Sequence, residues 1–383
     1  FESAGSPKAC MDYLRFPIEL SGQIKSSGVL EFRPDELKMD LSLGLERLVA
    51  ELPSPLDRLD GMTQPLKVGY VSKKSGLREI TFSSSNSKVA NFVFFNRNLV
   101  RGTINSANFV EDNVLLIGGK IPQLDVDGWR HFFDKRKKEG LSGFSPLTVL
   151  VDAQIDRVDV FGYAYDNVKV NGQFLKNDGL FSINSEKASG KIAFSGYGTD
   201  QAKLSAYMTR LAMARSGSRQ QLVTKKGEVD LPLIAIDAVI DEFELDGFRR
   251  GAVTFQATPS NGRWDISELS TITDVGTLTM RGEWRPGLEP RAEYDVEFNV
   301  EDVGQYLFSV DGTEHMDGGV GRLIGSVSWQ GSPFSLDLET LNGTLNLEVR
   351  DGRFLKINPG AGHIISLLSL QALPRRITLD FRD

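Results

Sequence analysis

The sequence predicts a mostly β protein: an elongated antiparallel sheet whose strands are apolar on one side only, accompanied by a few short helices. Three observations carry this expectation: two-residue alternation of apolar and polar side chains, turn-forming dipeptides, and a repeated strand motif. The plainest alternation is Ala292-Glu-Tyr294-Asp-Val296-Glu-Phe298-Asn-Val300, in which every intervening residue is acidic or an amide. Successive Cβ atoms of a strand point to opposite sides, so this run puts its apolar groups together. The stripe recurs at Leu14, Phe16, Ile18 and Leu20, at Leu278, Met280 and Trp284, at Phe334, Leu336 and Leu338, and at Leu345, Leu347 and Val349.

The dipeptides Asn171-Gly172, Asp246-Gly247, Asn261-Gly262, Asp311-Gly312, Asn342-Gly343 and Asp351-Gly352 favour tight hairpins, which join antiparallel neighbours. The repeat sets Val151-Asp-Ala-Gln-Ile155-Asp-Arg-Val-Asp-Val160-Phe-Gly162-Tyr beside Ile236-Asp-Ala-Val-Ile240-Asp-Glu-Phe-Glu-Leu245-Asp-Gly247-Phe. Downstream, Gly179-Leu-Phe-Ser-Ile183 and Gly262-Arg-Trp-Asp-Ile266 take comparable places. Stacked units of one kind suggest elongated growth.

Three helices are expected. Asp127 is the predicted cap of 128–139, which carries Trp129, Phe132 and Phe133 on one face and stops at Gly140. A second starts at Asp200, with Leu204, Met208 and Leu211 on one face. The third is the apolar run Ile364 to Leu373, ended by Pro374 and too short to cross a bilayer. Arg215 to Glu228 reads as a loop. These features divide the chain into segments 1–140, 141–228 and 229–383.

Composition narrows the function classes. Of 383 residues, 40% are hydrophobic and 25% charged, which suits a folded chain rather than a disordered one. A net charge of -7 lacks the clustered cation excess that nucleic-acid phosphates require. The single cysteine, Cys10, excludes an internal disulfide. No apolar run approaches the roughly 20 residues of a membrane span. The chain opens at Phe1 and closes at Arg382-Asp383 within a strand-like run, so it reads as part of something longer.

A search for catalytic chemistry finds little. His131, His315 and His363 are isolated from one another and from Cys10, so no metal-ligand spacing exists. No Gly-x-Ser-x-Gly elbow occurs, and Gly143-Phe-Ser145-Pro lacks the second glycine. Gly319-Val-Gly321 and Gly360-Ala-Gly362 lack the βαβ setting of dinucleotide loops and read as turns. The many acidic residues alternate with apolar ones, as a wetted sheet face requires. No enzyme activity, cofactor or metal is expected. On alternation alone, the hidden side of the strands reads first as the core of a closed β-sandwich or filled barrel, in a structural or adhesive protein, ahead of an open apolar face.

The residues from Gly321-Arg-Leu-Ile-Gly325-Ser-Val-Ser-Trp329-Gln-Gly331-Ser-Pro333 through Leu341-Asn-Gly343 and Asp351-Gly352-Arg-Phe-Leu, then Pro359-Gly-Ala-Gly362-His to Phe381, resemble the C-terminal region of YhdP-type AsmA-like proteins. His363 stands where the family usually has Arg. Leu52-Pro53-Ser-Pro55-Leu56 and Ile121-Pro-Gln-Leu124-Asp-Val-Asp127-Gly-Trp129 resemble that family's central region. The resemblance implies a twisted antiparallel sheet curled into an open groove with an apolar concave face. It also implies a periplasmic protein, anchored in the inner membrane by an N-terminal helix absent from this chain, that conducts phospholipid toward the outer membrane. The stripes named above, Leu14 to Leu20, Leu278 to Trp284, Ala292 to Val300, Phe334 to Leu338 and Leu345 to Val349, would then line the groove.

Overall fold

The computed structural model describes residues 2–5, 20–22, 24–45, 48–50, 53–54, 65–84, 87–96, 98–138, 147–160, 163–213, 233–245, 247–287, 289–311, 314, 316–331, 333, 337 and 339–355. The chain divides into two compact units, Phe1–Glu186 and Lys187–Asp383. The divisions expected at 140/141 and 228/229 lie outside the described residues.

Unit 1 contains β1 (Glu2–Gly5), β2 (Leu20–Gly22), β3 (Ile24–Arg33), β4 (Glu36–Gly44), β5 (Leu48–Ala50), β6 (Leu66–Lys73), β7 (Leu77–Ser84), β8 (Ser87–Phe95), β9 (Asn98–Ile104), β10 (Val114–Asp125), α1 (Val126–Lys138), β11 (Thr148–Val160), β12 (Tyr163–Leu175) and β13 (Asp178–Asn184). β1 pairs with β3, and β2 with β5. From β3 through β4, β6, β7 and β8 to β9 every neighbour is antiparallel. β9 to β10 and β10 to β11 are then parallel, and β11 to β13 return to antiparallel. α1 lies in the second parallel connection, as a return crossover requires. The Asp125 carboxylate accepts the Gly128 N–H at 2.9 Å, so the cap is Asp125 and not the expected Asp127.

Unit 2 contains β14 (Ala188–Ser195), β15 (Lys203–Met213), β16 (Ala235–Leu245), β17 (Phe248–Ser260), β18 (Arg263–Thr273), β19 (Gly276–Arg285), β20 (Arg291–Val300), α2 (Val303–Asp311), β21 (Met316–Gln330) and β22 (Asn342–Phe354). β15 and β16 are parallel, and all other sequential neighbours from β14 to β22 are antiparallel. The sheets are therefore predominantly, not wholly, antiparallel. The repeated segments coincide with β11 and β16, each entered from a parallel partner and left by an antiparallel one.

Two sequence expectations are corrected. The run from Asp200 is the strand β15, because a bulge beside Gly190 skips Thr209 and turns period-2 spacing into the 204, 208, 211 spacing of a helix. Asn171-Gly172, Asn342-Gly343 and Asp351-Gly352 lie inside strands, as does Gly319-Val-Gly321. At Gly172 a Cβ would come within 2.4 Å of the Leu180 carbonyl oxygen, so glycine there serves close strand approach. Asn261-Gly262 is a turn, with φ of 50° and 77° suited to a tight hairpin. The helix expected at Ile364 to Leu373 and the loop expected from Arg215 to Glu228 lie outside the described residues.

Candidate functional site

Register decides which side chains stand together, because Cα partners on adjacent strands share a side of the pleat. In unit 2 one row runs Ile192, Ala206, Ala238, Phe255, Leu269, Met280, Val296, Gly325, Leu345 from β14 to β22. Beside it a second runs Gly190, Met208, Ile240, Val253, Thr271, Leu278, Phe298, Leu323, Leu347. The third row, on the other flank, runs Phe194, Leu204, Ile236, Ala257, Ile266, Gly282, Tyr294, Val327, Gly343. No residue of these rows is charged. The opposite pleat carries Asp265, Glu283, Glu293, Ser328 and Asn342 in one row, with Arg263 paired to Asp265 at 2.9 Å and to Glu283 at 2.6 Å.

Unit 1 repeats the arrangement. Leu30, Met39, Tyr70, Ile80, Phe92, Gly102, Leu115, Val149, Phe174 and Gly179 form one row from β3 to β13. Gly28, Leu41, Val68, Phe82, Ala90, Ile104, Ile117, Val151, Gly172 and Phe181 form the next. The intervening polar groups bond among themselves: Asn91 donates to Glu79 at 2.7 Å and to Thr81 at 2.9 Å, and Asn171 donates to Asp152 at 2.5 Å.

The predicted site residues of unit 2 share one side of the sheet but not one degree of burial. Trp284 and Ala292 are 0% exposed, Tyr294 2%, Val296 5% and Val300 6%. Leu278, Met280, Phe298, Leu345 and Val349 are half-buried, and Leu347 is 40% exposed. Leu20 opens β2, while Leu14, Phe16, Ile18, Phe334, Leu336 and Leu338 lie outside the described residues.

Burial deepens at the Trp284 end because aromatic rings close it. Trp264, Trp284, Ala292 and Trp329 are successive cross-strand partners, and the Trp264 and Trp284 ring centroids lie 5.2 Å apart. Tyr294 stacks on Trp329, also at 5.2 Å. Each polar handle is tied to a connecting segment: Trp264 Nε1 donates to Ile234 O at 2.9 Å, Trp284 Nε1 to Gly331 O at 2.9 Å, and Tyr294 Oη to Pro333 O at 3.2 Å. Buried indole and phenol groups need such acceptors, and here the acceptors draw two connections over the rings. Burial also pushes the Tyr294 phenol well above its ordinary pKa. This end is a closed core.

The other margin is bounded by α2. Asp302 caps it through the Gln305 N–H at 2.8 Å, and Val303 and Leu307, each 1% exposed, pack with Val300 and Met316. The Tyr306 ring meets Phe298 edge-on at 5.1 Å. A Cβ on Gly321 would stand 2.8 Å from Val303, so glycine lets the helix settle against β21. The cavity beneath has a volume of about 20 Å³, room for about one water and for no cofactor. Sequence reading missed α2, although Asp302-Val-Gly-Gln305 before Tyr306-Leu-Phe308 has the spacing of a capping box.

Among the described residues no group of three or more His, Cys, Asp or Glu side chains could hold a metal ion, and no helix is long and apolar enough to cross a membrane. His131 is exposed on α1, with Nδ1 2.7 Å from Asp127 O.

Comparison with known proteins gives a consistent result. The Intermembrane phospholipid transporter YhdP of Escherichia coli (strain K12) is 22% identical over 382 residues, covering 90% of this chain and 28% of that protein. The chain thus spans about 28% of that relative's length. No solved structure matches it. The family described as YhdP protein matches residues 14–383, nearly the whole length, and this chain belongs to that family.

Proposed function

We propose that this chain is a section of a phospholipid-conducting sheet in which acyl chains lie along the cross-strand apolar rows while headgroups remain in water. The observation that carries the reading is continuity: each row in unit 2 crosses the strands β14 to β22 without a charge. At about 4.8 Å per strand such a row runs roughly 38 Å, more than twice the ~15 Å half-thickness of a bilayer core that one acyl chain fills. Moving a diacyl lipid through water exposes about 30 methylenes at about 0.8 kcal/mol each, a barrier near ~24 kcal/mol. A continuous apolar row removes most of it, and half-buried side chains such as Met280 and Leu278 let a lipid slide without a deep trap.

Membership of the family and the name of the E. coli relative support phospholipid as the cargo and the bacterial envelope as the setting. An inner-membrane anchor and contact with the outer membrane belong, on this reading, to parts of the protein beyond these residues. On this reading the rows face a sheltered groove, and no catalytic group takes part.

The closed aromatic end favours a second reading, a structural β protein whose rows are merely core. Lipid carriage separates the two. Chain purified without denaturant and incubated with phospholipid vesicles is expected to retain phospholipid near one per chain when extracted and analysed by mass spectrometry. A chain that stays lipid-free under those conditions contradicts the conducting role.

A further inference from the structure

The sequence holds three Asn-Gly steps, at 171–172, 261–262 and 342–343, and the structure sets one of them apart. Asparagine before glycine carries a latent reaction, because the glycine amide nitrogen reaches the asparagine Cγ with no Cβ of its own in the way. The two atoms meet only when the asparagine backbone and side chain rotate. A residue held in a strand ladder must first open its pairing, whereas one at an unpaired turn need not.

Asn171 and Gly172 are paired on both flanks, to Asp152 and Val151 of β11 and to Ser182 and Phe181 of β13. Asn171 Nδ2 also donates to the Asp152 carboxylate at 2.5 Å. Asn342 and Gly343 open β22 and pair with Ser328 and Val327 of β21. Asn261 and Gly262 stand outside the ladder, since the last pair of β17 with β18 is Ser260 with Arg263. Both are exposed, and nothing lies within 4 Å of the place a Gly262 Cβ would take. The turn is next to the closed aromatic end. Pro259 pairs with Trp264, which is 1% exposed, packs on Trp284 and ties its indole N–H to Ile234 O.

We propose that Asn261 is a site of spontaneous deamidation whose isoaspartate product loosens the aromatic end of unit 2. Gly262 N gives its proton to base and bonds to Asn261 Cγ, and the side-chain nitrogen leaves as ammonia. Water then opens the cyclic imide at one carbonyl or the other, giving aspartate or isoaspartate. The net change is amide plus water to carboxylic acid plus ammonia, with no oxidant and no enzyme. Aspartate leaves the main chain as it was and adds a negative charge at an exposed tip. Isoaspartate routes the main chain through Cβ and lengthens a two-residue turn that a tight hairpin requires. The misfit falls on the closing pair Ser260 and Arg263 and then on Trp264. This chemistry is independent of lipid conduction.

The test stores the folded chain in mildly alkaline buffer and follows all three Asn-Gly steps by peptide mapping and mass spectrometry. Deamidation should accumulate at Asn261 about tenfold faster, or more, than at Asn171 or Asn342, because only those two need local opening. In denaturant the three should react at similar rates. Stored wild type carrying isoaspartate should melt about 2–4 °C lower than fresh chain. Asn261→Gly, which suits the positive φ of the turn and has no amide to lose, should keep its melting temperature through the same storage. Equal deamidation at the three steps in the folded chain, or none at Asn261 while the denatured chain reacts, overturns the site. Wild type that holds isoaspartate at 261 yet melts like fresh chain overturns the loosening of the aromatic end.

Discussion

Trp284→Ala is expected to destabilise unit 2 by about 3–5 kcal/mol, the usual cost of emptying a buried aromatic site. Trp284 is 0% exposed, packs on Trp264 at 5.2 Å, and ties its indole N–H to Gly331 O. Truncation leaves a cavity, orphans that carbonyl and frees the connection it holds. By the usual scaling of melting temperature with stability, the transition should fall by roughly 10 °C or more. Leu347→Ala, at a side chain 40% exposed, should cost about 1 kcal/mol or less. Thermal unfolding followed by circular dichroism checks both. Equal effects at the two positions would mean that the closed aromatic end is no more a core than the margin at Leu347.

Met280→Glu is expected to do the opposite, sparing the fold and stopping lipid. Met280 is half-buried in the middle of its row, between Leu269 and Val296. A carboxylate there can keep water contact, so unfolding should shift modestly, whereas an acyl chain passing it must desolvate the charge or leave the row. At about 1–3 kcal/mol per poorly solvated polar group, retained phospholipid should drop roughly five- to hundredfold. Extraction and lipid mass spectrometry of the variant measure this. Val296 is a poorer place for the same experiment: at 5% exposure it is a buried member of the cluster around Trp284, where a charge would unfold what it was meant to probe, whereas Met280 packs against that cluster while only partly buried.

Alternation made the strand content and the sidedness legible, and Ala292 to Val300 shows why: β20 keeps a strict period of two and pairs without a register shift on both flanks. Where bulges interrupt the period, sequence reading fails. β15 mimics a helix for that reason. Parallel pairs escaped notice because nothing in β10, β11, β15 or β16 distinguishes a strand that returns by a crossover from one that returns by a hairpin. The division of the stripe residues into a closed core and a half-buried lane was also invisible. It depends on carbonyls at Ile234, Gly331 and Pro333, reached by rings 30, 47 and 39 residues away in the chain.

The central claim is that lipid occupies the cross-strand rows. A photoreactive amino acid placed singly at Met280, Leu269 or Phe92, and for comparison at Thr279, Glu297 or Asn91 on the opposite pleat, tests it directly when the chain is irradiated with labelled phospholipid. The account predicts lipid adducts at the three row positions and background at the other three. Adducts distributed equally between the two sets, or absent from the row positions, would contradict it.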